Sequence, residues 1–284
     1  MATTWLITGV STGLGRAFAQ AALERGDTVL GTVRKESDKA AFLELSTSGK
    51  GKAVAILLDV CDQVALMNLP QVLGDALAGA PLDVLINNAG YGVLGAFEEL
   101  SDAQVRQQME VNFFGALGVT RAALPFLREA AATKNQSTIV QISSVAGQTG
   151  SAGLSLYNAS KWALEGFSEA LSAELSHLGI RVVIVEPGAF RTDWAGRSMD
   201  TKKSSSNYEK TVGLVEERLS KINGTQQGDP AKAAQLVLKL VDSKTPPLRI
   251  PFGNDSFDRI SGKLKAQQSD LLLWEKDSRA LWFE

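Results

Sequence analysis

Short apolar runs at residues 5–8, 29–33, 53–58, 82–86, 138–142 and 181–185 are separated by longer stretches with apolar residues at helical spacing. A chain that alternates strand and helix in this way closes into a parallel sheet with helices packed on both faces. Residues 248–250 add a further run, so the expectation is an α/β, doubly wound parallel sheet of about seven strands. Helices are expected at 16–25, from Ser37, at 63–78 with a break near Pro70, from Ser101 to about 131, from Ser155 to about 178, and at 230–241. Ser101 followed three residues later by Gln104 spells a capping box, and Asp229-Pro230 places a proline in a first helical turn.

No repeat, low-complexity tract or linker divides the core, so residues 1–284 read as a single domain. Residues 189–228 break the alternation; they are polar at 200–206 and then show Tyr208, Val212, Val215 and Leu219 at helical spacing. Such a long connection reads as a substrate lid. Residues 254–284 read as a C-terminal helical extension, with Phe257, Ile260, Leu264, Leu271 and Trp274 on an amphipathic helix.

A net charge of −2 supplies no basic field for nucleic acid or an anionic membrane. No run reaches the ~20 apolar residues of a spanning helix, and the N-terminus lacks a signal peptide's basic and apolar segments. The single cysteine, Cys61, makes an internal disulfide impossible and suits a reducing, cytoplasmic compartment. It reads as a small apolar filler beside a strand end. The only histidine, His177, falls near a helix C-terminus, so neither an ordinary zinc site nor a His-based triad is available. No metal site is expected. Arg181 reads as a solvated strand end, and Asn87 as a structural residue holding neighbouring strands.

The first strand runs into T-G-V-S-T-G-L-G, with Gly9, Gly13 and Gly15 opening a helix around Ser11, Thr12 and Leu14. That context allows a tight turn, close backbone approach and a pyrophosphate on a helix N-terminus, though a glycine-rich turn without a ligand has the same look. Dinucleotide folds that use NAD place an acid at the end of the second strand to receive a ribose 2′-hydroxyl. Here that strand ends in V-R-K, with Arg34 nineteen positions after Gly15. An arginine fork suits a 2′-phosphate and hence NADP(H), unless Arg34 is simply a solvated strand end.

Tyr157 and Lys161, four apart, share one face of the helix that Ser155 opens. Ser144 lies thirteen residues before Tyr157, across a glycine-rich loop. A free phenol, with a pKa near ~10, is a poor acid at neutral pH. A neighbouring ammonium is expected to bring it down, while the serine hydroxyl holds a carbonyl oxygen. Together these groups carry out the reduction of a ketone to an alcohol when a hydride donor lies opposite.

Taken in order, T-G-x-x-x-G-x-G, N-N-A-G at 87–90, Asn112, Ser144, Y-x-x-x-K at 157–161 and P-G-x-x-x-T at 187–192 resemble the short-chain dehydrogenase/reductase family, in its compact one-domain branch. The resemblance is strong over residues 3–195 and holds in outline over 229–251. It implies a Rossmann-type fold, an NADP(H) cofactor, and catalysis by Ser144, Tyr157, Lys161 and Asn112. Tyr157 is then the acid/base, and Lys161 tunes it and bonds the nicotinamide ribose. Asn112 holds a water leading from Lys161 to solvent. Asn88 lies along the cofactor, Asp59 meets the adenine, Thr192 holds the carboxamide, and Gly188 lets the backbone approach the ring. Candidate substrate walls are Tyr91, Val93, Leu94, Leu154, Phe190 and Trp194, which favours a small hydrophobic carbonyl or alcohol. Dimerisation through the helices of 101–131 and 155–178 is expected, with a tetramer left open. Trp162, Phe167 and Leu171 are assigned to core or subunit contacts. The activity expected is NADPH-dependent carbonyl reduction; an NAD-dependent alcohol dehydrogenase and a non-catalytic cofactor sensor on the same fold are the rivals. Thr12 departs from the family, since NADP-preferring relatives often carry a basic residue there.

Overall fold

A computed structural model describes residues 2–47, 50–134 and 136–283. The described residues form nine strands: β1 (Thr4–Ile7), β2 (Thr28–Val33), β3 (Lys52–Leu57), β4 (Val84–Asn87), β5 (Gly92–Leu94), β6 (Ser137–Ile142), β7 (Ile180–Pro187), β8 (Met199–Thr201) and β9 (Arg249–Phe252). Seven of them make one sheet in the order β3-β2-β1-β4-β6-β7-β9, every pairing parallel. The chain therefore starts in the middle of the sheet, winds outward to β3, returns to β4 beside β1, and winds out the other way. The direction reverses between β1 and β4, and doubly wound sheets bind their ligands at the carboxyl ends of strands at such a reversal.

The sheet is buried on both faces, and residue alternation sorts its side chains. Trp5, Ile7, Val29, Val140 and Val183 point to one face, under α1 (Gly13–Arg25) and α8 (Pro230–Asp242). Leu6, Leu30, Leu85, Ile139 and Val182 point to the other, under α3 (Gln63–Leu77), α5 (Gly115–Lys134) and α6 (Ser155–Leu175). A strand period of two and helices on both faces bury the central strands, while the edge strand β3 stays partly open to water, with Leu57 exposed at its end. Helix α2 (Asp38–Leu43) closes the β2–β3 crossover by burying Phe42.

Local signals set several ends. Gly26 ends α1 in the left-handed region, φ 99°. Ser101 and Gln104 form the expected capping box at the start of α4 (Asp102–Met109). Asp229 caps α8 by accepting from the Ala231 amide at 2.8 Å.

Several expectations are corrected. α3 runs unbroken through Pro70, which lies on its exposed side while Leu66, Leu69, Leu73 and Leu77 bind the other side to the sheet. The stretch from 102 to 134 is two helices joined by a π turn at Glu110–Phe114, and Asn112 sits in that turn. Asn87 ties its strand to a helix, donating to Thr120 Oγ1 of α5 at 2.8 Å, and makes no side-chain link to another strand. Arg181 is half-buried and tied down rather than a free solvated strand end; it donates to Thr138 Oγ1 at 2.8 Å, to the Val241 carbonyl at 2.9 Å and to the Ser243 carbonyl. Of the tail helix α9 (Asn254–Leu273), followed by α10 (Glu275–Arg279), only Ser256 and Ile260 are buried. Phe257, Leu264, Leu271 and Trp274 are exposed. The region 189–228 contains the helix α7 (Leu214–Ile222) and the strand β8, which pairs with β5 in a small second sheet unforeseen from the sequence.

Candidate active site

At the carboxyl end of the sheet, β1 passes into the glycine turn. Gly9 has φ 72° and Gly13 φ 61°, conformations that side chains disfavour, so the turn depends on glycine at both. The Gly9 amide donates to Thr32 Oγ1 at 3.1 Å, fixing the turn to the end of β2. Asn88 closes it from the side, donating from Nδ2 to the Thr8 carbonyl at 2.9 Å and the Gly9 carbonyl at 3.2 Å. Thr8 Oγ1 in turn accepts from the amides of Asn88 and Ala89, both at 2.9 Å. The turn and the N-N-A-G segment are thus one hydrogen-bonded unit, drawn together because β1 and β4 are neighbours.

One cavity of about 730 Å³ opens along this edge. Gly9, Ser11, Thr12, Gly13, Leu14, Arg34, Asp59 and Asn88 line one end; Ser144, Tyr157, Lys161, Gly188 and Thr192 lie on the same wall further on. Residues from seven separate stretches are therefore brought to one surface. Gly15 is off the wall; it packs behind Asn88, where a Cβ would come within 2.3 Å of Asn88 Nδ2. Asn112 is off the wall too. Its Oδ1 accepts from the Tyr91 amide at 3.0 Å, and its Nδ2 donates to the Tyr91 carbonyl at 2.9 Å and to Ser160 Oγ at 3.1 Å. It bridges the π turn, the N-N-A-G segment and α6. Of the expected substrate walls, Tyr91, Leu154, Phe190 and Trp194 face the cavity, whereas Val93 and Leu94 are buried behind it in β5.

The three chemically active side chains are all buried, Ser144 8% exposed, Tyr157 6% and Lys161 5%. Lys161 Nζ donates to the carbonyl of Ile142, the last residue of β6, at 2.8 Å and lies 5.9 Å from the Tyr157 ring centre. Ser144 Oγ accepts from the Ala146 amide at 3.1 Å, donates to the Pro187 carbonyl at 3.4 Å, and hydrogen-bonds the Tyr157 phenol. Burial pushes the phenol up to about 12, with Ser144 opposing the rise. Burial also pushes the Lys161 ammonium down to about 8, with Glu165 opposing the fall. The downward shift expected for Tyr157 from Lys161 does not appear: desolvation sets the direction for a phenol this deep, and Ser144 is the group that opposes it.

Sequence reasoning missed several site residues. Thr8 and Thr32 look like ordinary strand positions; only strand adjacency reveals their hydroxyls as anchors of the turn. Glu165, one helical turn beyond Lys161, is 3% exposed and paired with Arg249 of β9 at 2.9 Å. The i, i+4 spacing from Lys161 was visible, but its burial was not. Asp255 and Arg259 of α9 and Arg218 of α7 also reach the cavity, from segments far along the chain.

A glycine turn at a helix start, a switch-point cavity and a buried Ser-Tyr-Lys set define a dinucleotide-binding oxidoreductase of the α/β class. The comparisons agree. The family model for short chain dehydrogenase matches residues 3–203. An oxidoreductase of Botryotinia fuckeliana, BOA17, is 39% identical over 91% of both chains. The 3-ketodihydrosphingosine reductase of Bacteroides thetaiotaomicron is 33% identical over 87% of each. A short-chain dehydrogenase structure from Streptomyces avermitilis superposes with a TM-score of 0.87 at 39% identity, covering 100% of this chain and 99% of that one. The chain belongs to the short-chain dehydrogenase/reductase family, whose members use nicotinamide cofactors. No helix among the described residues is long and apolar enough to cross a membrane.

Proposed function

We propose that this chain is an NADPH-dependent ketone reductase, running reversibly as an alcohol dehydrogenase. The observation that carries the reading is that Ser144, Tyr157 and Lys161 share one cavity wall with the glycine turn and Arg34. The donor set fits the dinucleotide: backbone amides at the start of α1 suit a pyrophosphate. Arg34 is exposed at the end of β2, and the nearby acid Glu36 is occupied by Lys39 at 2.9 Å. A bound nicotinamide supplies the hydride that reaches the carbonyl carbon. Ser144 Oγ holds the carbonyl oxygen, and the Tyr157 phenol, kept protonated by burial, gives that oxygen its proton. Lys161, on the Ile142 carbonyl, stands beside the phenol and restores the charge balance once the proton has left. Asn112 holds the Tyr91 segment and α6 in register behind these groups.

The apolar wall of Leu154, Phe190 and Trp194 favours a hydrophobic ketone, in keeping with a relative named as a ketone-compound reductase. Residues 189–228 act as the lid: Val215 and Leu219 of α7 pack on the cluster of Leu94, Leu154 and Tyr157. The protein works in the cytoplasm as a homodimer, and the dimer is supported by Phe114, just before α5, and Trp162, two turns into α6, which are 46% and 43% exposed. A panel of carbonyl compounds with NADPH, followed by loss of reduced-cofactor absorbance, tests the activity. Turnover is expected with at least one apolar ketone, and none across aliphatic and aromatic classes overturns the reading.

A further inference from the structure

The substrate end of the cavity is apolar over most of its wall, formed by Leu154, Trp194, Met199, Val215 and Leu219. Against this apolar lining stand two guanidinium groups from distant parts of the chain, Arg218 on α7 and Arg259 on α9. Arg259 is held by hydroxyls: its Nη2 donates to Thr149 Oγ1 at 2.9 Å and to Ser151 Oγ at 3.0 Å. Both hydroxyls belong to the loop that connects Ser144 to Tyr157. Among the described residues neither arginine forms an ion pair. Asp255, one turn before Arg259, also lines the cavity and its field favours the charged Arg259, but its Oδ2 accepts from the Ala189 amide at 2.8 Å. Burial and the field of Arg218 together hold Arg259 below the usual guanidinium range.

The two guanidinium groups repel each other, and Asp255, though close to Arg259, is ion-paired with neither, so an anion that bridges them is favoured. Guanidinium groups bind oxyanions through several N–H donors at once, and Arg259 still has donors beyond Nη2. We propose that Arg218 and Arg259 form an oxyanion subsite, so that the ligand is amphipathic: an apolar body against Leu154, Trp194 and Leu219, with a carboxylate or phosphate at its far end. The proposal rests on the reductase reading only for which end reacts. The subsite is assembled from the lid and the C-terminal extension, so it exists only when α7 lies over the cavity. An anionic ligand would therefore also hold the lid down.

Calorimetric titration with octanoate, octyl phosphate and 1-octanol, at saturating NADP⁺ so that Arg34 is occupied, tests it. The anionic probes are expected to bind at least tenfold more tightly than the alcohol, ~1.4 kcal/mol. The preferred anion separates a carboxylate from a phosphate ligand. Arg218→Gln with Arg259→Gln should close the gap through loss of anion affinity, while Arg259→Lys keeps most of it. Equal affinities of octanoate, octyl phosphate and 1-octanol in the native protein, or a gap that survives the double substitution, would overturn the subsite. Ketone turnover measured alongside separates the two readings. Turnover without anion preference sinks the subsite alone, and anion preference without turnover on any carbonyl sinks the reductase reading alone.

Discussion

Asp255, at the start of α9, packs its carboxylate directly over Gly188 at the end of β7. A Cβ on that glycine would lie 2.0 Å from Asp255 Oδ1 and 2.4 Å from its Cγ. The same carboxylate accepts from the Ala189 amide at 2.8 Å. The C-terminal extension is thereby fastened to the point where β7 gives way to residues 189–228. Gly188→Ala is expected to displace Asp255 and destabilise the fold by ~1–3 kcal/mol, the usual range for overpacking. In an Asp255→Ala background the same glycine substitution should cost much less. A thermal-denaturation double-mutant cycle reads the difference; additive effects would show that the two residues do not meet.

Tyr157→Phe removes the proposed proton donor and leaves the rest of the cavity wall in place. Turnover is expected to fall at least a hundredfold while NADPH affinity changes little, because the phenol acts mainly in the transition state. Fluorescence titration with NADPH alongside steady-state kinetics checks both. A variant that keeps more than about a tenth of the native kcat removes Tyr157 from the chemistry.

Arg34 lines the end of the cavity beside the glycine turn, and we propose that it meets a 2′-phosphate there. The native protein is expected to prefer NADPH over NADH by at least tenfold in kcat/KM, ~1.4 kcal/mol, and Arg34→Asp to shrink or invert that ratio. The ratio in both proteins is the measurement, and equal use of NADH by the native protein would deny Arg34 this role.

Glu186 is 1% exposed beneath the site, in β7, and its Oε1 has no hydrogen-bond partner. Burial pushes its carboxyl up to about 7, Glu165 adds to the rise, and Gln148 and Arg249 oppose it. The folded state then holds a proton that the unfolded chain, with its carboxyl near ~4.3, has released. Stability therefore falls as pH rises from about 4.5 to 7, and stays at the lower level above that. Glu165 is raised by burial as well and contributes in the same direction. Glu186→Gln should flatten this fall by roughly 2 kcal/mol. Urea unfolding at a series of pH values shows it; an unchanged slope means that the carboxyl is ionised in the folded protein.

The sequence alone determined the alternating architecture, the capping box at Ser101, the glycine turn and the spacing of Ser144, Tyr157 and Lys161. Each of these is a local pattern: hydrophobic period, cap chemistry and one turn of helix leave their mark within a few residues. The tertiary structure decided what depends on which segments become neighbours. Strand adjacency made Thr8 and Thr32 the anchors of the glycine turn. Burial depth set the phenol of Tyr157 above its usual range and the ammonium of Lys161 below it, where local charge alone pointed the other way for the tyrosine. Asn112 was legible only as a position the family resemblance singles out; its bonds to Tyr91 and Ser160 exist because a π turn faces the Tyr91 segment and α6. Arg218, Asp255 and Arg259 carry no local signature at all. They reach the cavity because the lid and the C-terminal helix fold back over the strand ends, and no residue's neighbours along the chain encode the distance between surfaces that meet only after folding.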